Sequence, residues 1–240
     1  MHSRGKNLNM LISDSHKFAF IHIPKCAGTT VRKSLLKFDT RNNFYWMHNT
    51  LEGFGLQGEK TTIDFDKSHL TLNVLKYYYE DDFKLLNEYT TFAFSRNPVT
   101  RLVSCFFCTR PNLVNQDIKL IRSTFESYVD SLSDLNFFDA RFVHSTPQSK
   151  YHIHNNKNMV DVVIKLEEPE EGLLKLGCFN KELRDTVEKS LNRKENAKTS
   201  KIHELELWEN LPPRLKLKFI DQYIDDFNLF GYPRPDSGYP

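Results

Sequence analysis

Apolar and polar positions follow one another in two similar blocks along the chain. In the first block, residues 17–23 (KFAFIHI) form an apolar run rich in aromatic and β-branched residues that stops at Pro24. Such a run predicts a short buried strand. The stretch TTVRKSLLKF then has apolar residues at helical spacing and predicts a helix beginning near Thr29. The block is therefore predicted to fold as strand, tight turn and helix.

The second block repeats this order. Residues 89–95 (YTTFAFS) predict another buried strand, and Arg96 lies in the turn that follows. Asn97 fits a helix N-cap and Pro98 the first helical position. An apolar stripe of period i, i+3, i+4, i+7 continues the helix: Val99, Leu102, Val103 and Phe106, with Arg101 and Ser104 expected to fall away from it.

The remaining elements complete an α/β pattern. The stretch NMVDVVIKLEE (158–168) predicts a third strand. Four more helices are predicted: one from Leu72, one that begins at a capping box of Ser123 with Glu126, one over 180–191 and one over 212–227. Strands that alternate with helices favour an α/β fold with a mostly parallel central sheet flanked by helices. With no internal repeat or linker, residues 1–240 are predicted to form a single domain with a short N-terminal extension, residues 1–16.

Composition narrows the classes of partner. The formal net charge of +2 over 240 residues gives no global attraction to nucleic acid, although a local basic pocket is compatible with it. No apolar run reaches the roughly 18–20 residues of a membrane helix, and the N-terminus lacks a signal-peptide core. We therefore expect no stable membrane insertion and a cytoplasmic protein, with the Golgi lumen as its place only if the chain is a truncated form of an anchored enzyme. The oligomeric state is not predicted.

The four cysteines predict structural thiols. Cys105 and Cys108 form a CxxC, but they lie one helical turn apart, within an apolar helix face. A metal site would need two further ligands at suitable spacing, and none is evident. The sequence therefore predicts no metal.

The first predicted turn, IPKCAGTT (residues 23–30), has the chemistry of an anion site. A helix N-terminus after a strand presents N–H groups and a partial positive charge that suit a phosphate. Lys25 adds a full charge, Gly28 allows close approach of the backbone, and Thr29 and Thr30 add hydroxyl donors. The pattern GxxxxGK[ST] is not met, because the lysine precedes the glycine, and this argues against an NTPase.

The second turn predicts a second anion contact. Arg96 follows the strand, and Ser104 lies on the polar side of the next helix, so together they could bind another phosphate. A ligand with two separate phosphate groups and no metal is a narrower class than the nucleoside triphosphates.

IPKCAGTT and RNPVTRLVS together resemble the two nucleotide-binding elements of PAPS-dependent sulfotransferases. The fuller pattern adds SHLTL, TPQSKY and the ending DDFNLFGYP, and it is similar to the carbohydrate sulfotransferase branch that includes heparan-sulfate 2-O-sulfotransferases. The resemblance covers roughly residues 17–232. It implies the P-loop-like sulfotransferase fold and a sulfuryl transfer from PAPS, as co-substrate and without a metal, to a hydroxyl of a carbohydrate acceptor.

The resemblance also implies roles for individual residues. The 5′-phosphosulfate would be held by Lys25, Ala27, Gly28, Thr29 and Thr30, with Lys25 also stabilising the leaving oxygen, and the 3′-phosphate by Arg96 and Ser104. A basic loop over the nucleotide would contain Lys198 and Lys201.

His69 corresponds to the histidine that acts as general base in the 2-O-sulfating relatives. An imidazole suits that role near neutral pH. Sister groups use a glutamate or another residue, so a nearby glutamate or His48 is the next candidate.

Two other functions remain open at this point. A P-loop-like nucleotide phosphotransferase (a kinase) would use the same first turn. A catalytically inactive relative would bind nucleotide or acidic glycan without turnover. Among the neighbouring residues, His22 is expected to pack in the strand, and Cys26 to fill the turn as a small residue.

Overall fold

The computed structural model describes residues 10–41, 70–133, 142–192 and 206–235. The chain divides into two compact units. The sheet unit contains Met1–Ser95 and Lys150–Glu195, and the helical unit contains Arg96–Ser149 and Asn196–Pro240. The single domain over residues 1–240 stays a prediction.

The described elements follow one another as an α/β chain. The strands are β1 (Met10–Ser13), β2 (Phe18–Ile21), β3 (Thr90–Ser95), β4 (Ile153–His154), β5 (Lys157–Asn158) and β6 (Val162–Lys165). The α-helices are α1 (Gly28–Leu35), α2 (Leu72–Tyr78), α3 (Glu80–Lys84), α4 (Pro98–Thr109), α5 (Ile118–Asp130), α6 (Glu170–Phe179), α7 (Lys181–Leu191), α8 (206–209), α9 (Pro213–Gln222) and α10 (Ile224–Phe230). Short 3₁₀ turns cover Leu36–Phe38, Leu85–Asn87, Pro111–Leu113, Val143–Ser145 and Gln148–Tyr151.

The main sheet has the strand order β1-β2-β3-β6. β2 pairs in parallel with β3, and β3 pairs in parallel with β6, whereas β1 is an antiparallel edge strand beside β2. β4 and β5 form a separate antiparallel pair. The predicted α/β fold with a mostly parallel sheet flanked by helices is confirmed.

Burial accounts for the apolar sequence of the central strand β2. All four residues of β2 are buried, as expected for a parallel strand covered on both faces. Phe20 pairs in register with Phe92 of β3, and their rings lie 5.0 Å apart. Val31 of α1 and Leu183 of α7 are fully buried in the same core. The sheet thus fixes the position at which the chain leaves β2 and enters the first turn.

The helical unit has its own core, built largely from aromatic side chains of α4, α5, α9 and α10. The rings of Phe106 and Phe125 meet edge to face at 5.2 Å, and those of Phe219 and Tyr223 stack at 4.4 Å. The predicted apolar stripe of α4 is buried at Leu102, Val103 and Phe106, with Val99 partly buried against the core.

The start of α5 differs from the prediction. The helix begins at Ile118, and the side chain of Asp117 caps it by accepting a hydrogen bond from the N–H of Lys119 at 2.8 Å. Ser123 lies inside the helix and donates to the carbonyl of Leu120, so the predicted capping box of Ser123 with Glu126 is wrong. Asp117 is an effective cap six residues earlier, and Ile121 extends the buried stripe towards it.

Two further elements differ in their boundaries, and one strand was not predicted. Of the predicted strand 158–168, only Val162–Lys165 forms β6, while Lys157–Asn158 pairs with β4. The predicted helix 212–227 is broken at Tyr223, whose φ of −110° and ψ of 17° are not helical. β1 was not predicted at all and lies within the predicted extension 1–16.

Candidate functional site

The turn after β2 has an unusual backbone. Lys25 and Ala27 both adopt positive φ, at 66° and 54°, in the left-handed region that residues with a side chain rarely occupy. The N–H of Cys26 between them donates to the carbonyl of Ile23 at 3.3 Å. Such conformations cost of order 1–3 kcal/mol each and concentrate at ligand sites. Alternation of left- and right-handed residues also turns successive N–H groups towards one side, which suits an anion.

This turn leads directly into α1. Ala27 occupies the N-cap position, and its carbonyl accepts hydrogen bonds from Thr30 and Val31, but no side chain caps the helix. The N–H groups of Gly28 and Thr29 precede these first hydrogen bonds of the helix and are placed to donate to water or to a ligand. The predicted residues Lys25, Ala27, Gly28 and Thr30, together with the backbone of Thr29, are therefore adjacent to one helix N-terminus.

Gly28 has a packing role that the sequence did not reveal. A Cβ atom added to it would lie 1.8 Å from Nε2 of His22 and 1.9 Å from its Cδ2. His22 is only 4% exposed, as expected for a packed strand-end residue. The glycine therefore makes room for the imidazole beneath the helix N-terminus.

The charge of Lys25 is available at this turn. Its side chain is partly exposed, and no carboxylate in the described part of the chain pairs with it. Cys26, by contrast, is 1% exposed and fills the turn as predicted. The first turn thus combines a lysine ammonium, a helix N-terminus and a strained backbone, a combination suited to a phosphate or a sulfate ester.

The second turn, directly after β3, belongs to the helical unit. The N–H of Arg96 donates to Oε1 of Gln148 at 3.0 Å, and the carbonyl of Arg96 accepts from Nε2 of Gln148 at 2.8 Å. Nε of Arg96 donates to the hydroxyl of Thr100 at 3.1 Å. Asn97 caps α4 by accepting from the N–H groups of Val99 and Thr100, as predicted. Arg96 is half-buried, and its backbone is fixed on both sides.

Ser104 lies one helical turn beyond Thr100 on α4 and is half-buried. Residues four apart share a helix face, so Arg96, Thr100 and Ser104 follow one polar line along the start of α4. The Thr100 hydroxyl accepts from Arg96 and donates to the carbonyl of Asn97 at 3.2 Å, so the groups that suit an anionic oxygen are the Arg96 guanidinium and the Ser104 hydroxyl.

Comparison with known proteins identifies the protein family. A family model described as the Sulfotransferase family matches residues 8–233. The chain belongs to the Sulfotransferase family. Searches among curated proteins and among solved structures gave no match. The reaction of this transferase is therefore the transfer of a sulfuryl group.

Arg101 of the sulfotransferase, which was expected to fall away from the apolar stripe of α4, is nevertheless buried. It is 1% exposed, and its Nη2 donates to the carbonyls of His144 at 2.8 Å and Thr146 at 2.9 Å. Buried guanidinium groups need such acceptors, because an unsatisfied buried charge is costly. Arg101 thus holds the segment around Thr146 against α4.

Two functional candidates in the sulfotransferase were missed by sequence reasoning. Gln148 and Asp226 are fully buried, and the Asp226 carboxylate accepts from the backbone N–H of Gln148 at 2.8 Å and of Ser149 at 2.7 Å. Burial raises the pKa of Asp226, while the charge of Arg101 and the two N–H donors act in the opposite direction. The only sequence signal was that Gln148 lies in the segment TPQSKY, which resembles the family.

Several predicted site residues lie outside the described residues. These are His69, its alternative His48, and the loop residues Lys198 and Lys201, as well as the side chain of Thr29. Their roles in the sulfotransferase stay predictions.

The four cysteines, all among the described residues, differ in burial. Cys26 and Cys105 are buried, but Cys108 and Cys178 are exposed, so the placing of Cys108 within an apolar face is wrong. Within these ranges no three His, Cys, Asp or Glu side chains group as metal ligands would. No helix there combines the length and apolarity needed to cross a bilayer.

Proposed function

We propose that this sulfotransferase moves the sulfuryl group of PAPS to a hydroxyl of a carbohydrate acceptor. The observation that carries the proposal is the first turn. In this member of the family, Lys25 has no carboxylate partner among the described residues. It lies in a strained turn, beside a helix N-terminus that no side chain caps.

The residues of the first turn suit the phosphosulfate of the donor. A phosphosulfate is a doubly anionic group, and the positive φ values of Lys25 and Ala27 orient backbone donors in a way that suits one. Gly28 adds no side chain at the helix N-terminus, and Thr30 adds a partly exposed hydroxyl. These features support the assignment of the 5′-phosphosulfate to Lys25, Ala27, Gly28, Thr29 and Thr30.

The second turn supports a contact with the 3′-phosphate. Arg96 lies just before α4 and contacts Thr100 on it, and Ser104 lies one turn further along the same helix. A guanidinium binds a phosphate through charged hydrogen bonds. A 3′-phosphate distinguishes PAPS from ATP, so Arg96 would be a specificity contact. Lys198 and Lys201, which follow α7 in the sequence, would add further positive charge.

The chemistry proposed is a single in-line displacement. The oxygen of the acceptor hydroxyl forms a bond to sulfur, while the bond from sulfur to the bridging oxygen breaks and PAP leaves with that electron pair. The hydroxyl proton passes to His69 as general base. The Lys25 ammonium stabilises the charge that develops on the departing phosphate oxygen. No covalent enzyme intermediate is needed.

The carbohydrate acceptor is supported by the segments SHLTL and TPQSKY, which resemble the glycan-modifying branch. His69 lies in the first of these, just before buried Leu70 and the start of α2 at Leu72. Outside both phosphate-binding motifs, this position suits a residue that acts on the acceptor.

Calorimetry with PAP and ATP, each with magnesium and with EDTA, tests the donor assignment. We expect PAP to bind equally well in both conditions and much more tightly than ATP. Equal affinity for ATP, or binding of PAP only with magnesium, would contradict the proposal, and magnesium-dependent ATP turnover would support a kinase instead.

A further inference from the structure

Gln148 makes a two-point contact with the backbone of Arg96. Its carboxamide accepts from the N–H of Arg96 at 3.0 Å and donates to the carbonyl of Arg96 at 2.8 Å. A primary amide carries the same donor and acceptor pair as a peptide group. Gln148 thus pairs with Arg96 much as a neighbouring strand would, one residue beyond the end of β3 at Ser95.

This contact constrains the direction of the Arg96 side chain. The N–H and the carbonyl of one residue belong to the two peptide planes that flank its Cα atom. Holding both groups limits rotation about φ and ψ, and these angles set where the side chain leaves the backbone. The head group is also held, because Nε donates to Thr100.

Asp226 in turn fixes Gln148. Its Oδ2 accepts from the backbone N–H of Gln148 at 2.8 Å, and the carboxamide Nε2 lies 3.4 Å from the same oxygen. Its Oδ1 accepts from the N–H of Ser149 at 2.7 Å. Asp226, Gln148 and Ser149 are each at most 4% exposed.

Burying a carboxylate costs free energy unless hydrogen-bond donors or a positive charge compensate it. Filling space in the core therefore does not explain why Asp226 is a carboxylate. An apolar side chain at position 226 would fill the same space without that cost. Two of the donors to Asp226 belong to Gln148, which holds the backbone of Arg96, and the third is the N–H of the next residue, Ser149.

We propose that Gln148 and Asp226 are positioning residues that set Arg96 for the 3′-phosphate of the sulfuryl donor. The inference rests on the proposed role of Arg96 as the 3′-phosphate contact. Neither residue touches the nucleotide in this scheme, since both act through the backbone of Arg96.

Calorimetry with two nucleotides tests the inference on the full chain. Gln148→Met keeps the length of the side chain and removes its amide, and Asp226→Asn is a second variant of nearly unchanged shape. We expect each to weaken PAP about tenfold, the effect of one or two lost hydrogen bonds. Binding of adenosine 5′-phosphosulfate, which lacks the 3′-phosphate, should stay within about twofold of the unaltered protein. The exposed Gln116→Leu and Asp225→Asn are matched controls that should leave both affinities unchanged.

A double-variant cycle separates positioning from a general structural effect. In an Arg96→Ala background, Gln148→Met should cost no further PAP affinity, because no side chain remains to be positioned. Equal losses for both nucleotides, or a full additional loss in the Arg96→Ala background, would overturn the positioning role. If Arg96→Ala weakened PAP but Gln148→Met and Asp226→Asn did not, the positioning role would be overturned and the proposed function would stand. If Arg96→Ala itself left PAP affinity unchanged, both the positioning role and the proposed 3′-phosphate contact of Arg96 would be overturned.

Discussion

Replacing Gly28 with alanine tests the packing beneath the first turn. The added Cβ would lie 1.8 Å from Nε2 of His22, whereas non-bonded carbon and nitrogen atoms approach to about 3.5 Å. The imidazole would have to retreat by roughly 1.5 Å in a region where His22 is 4% exposed and its ring lies 6.3 Å from that of Phe20. Overpacking of this kind costs about 1–3 kcal/mol.

The backbone conformation at position 28 does not require a glycine. Its φ lies outside the left-handed region, so alanine can adopt the same conformation, and in a helix alanine is favoured over glycine by up to about 1 kcal/mol. The clash with His22 therefore decides whether Gly28→Ala raises or lowers the free energy of unfolding. We expect Gly28→Ala to lower the free energy of unfolding by about 1–2 kcal/mol, and to be neutral or stabilising when combined with His22→Ala.

Urea denaturation of the four proteins of this cycle measures the coupling. The expected interaction between the two positions is about 2 kcal/mol, within the range for residues in direct contact. An equal cost of Gly28→Ala with and without His22 would refute the packing explanation. If Gly28→Ala kept full stability but lost PAP affinity, the glycine would be needed for the ligand alone.

Three further predictions concern binding, catalysis and pH. Arg96→Ala should weaken PAP by about 1.5–3 kcal/mol in calorimetry, the range for a lost charged hydrogen bond, while adenosine 5′-phosphosulfate changes little; equal losses would contradict a 3′ contact. His69→Ala should lower kcat about 10²- to 10⁴-fold with PAP affinity nearly unchanged, whereas Lys25→Ala should lower both; steady-state kinetics that retain most of the rate in His69→Ala would assign the base elsewhere. Burial lowers the pKa of His152 from 6.5 to about 3, so between these values the unfolded state binds a proton that the folded state does not. The free energy of unfolding should therefore be unaffected above about pH 7 and fall by up to ~1.4 kcal/mol per unit as pH drops below 6.5, and His152→Phe should remove that slope in urea denaturation at several pH values.

Local signals were sufficient for the strands and turns that carry the first two motifs. The apolar run before Pro24 and the Asn97-Pro98 pair each act within a few residues of the element they define, so a single sequence contains the whole signal. β1 was missed because four residues, MLIS, are too short a pattern without the neighbouring strand β2 that pairs with them.

The second turn shows why other parts of the site were not predictable. The burial of Arg101 was not predicted, because its carbonyl acceptors lie 43 and 45 residues further along the chain. Gln148 bonds to a residue 52 positions away, and Asp226 to one 78 positions away. Such contacts depend on tertiary packing, and neither periodicity nor a short motif encodes them.

Sulfate transfer from labelled PAPS tests the central claim most directly. The protein would be incubated in EDTA with a panel of oligosaccharides and, beside them, simple phenols, with Lys25→Ala as the matched inactive control. The account predicts label on a carbohydrate hydroxyl, formed without metal and lost in Lys25→Ala. Label on phenols alone would contradict the carbohydrate acceptor, and no transfer from PAPS to any acceptor by a protein that binds PAP would indicate a catalytically inactive relative.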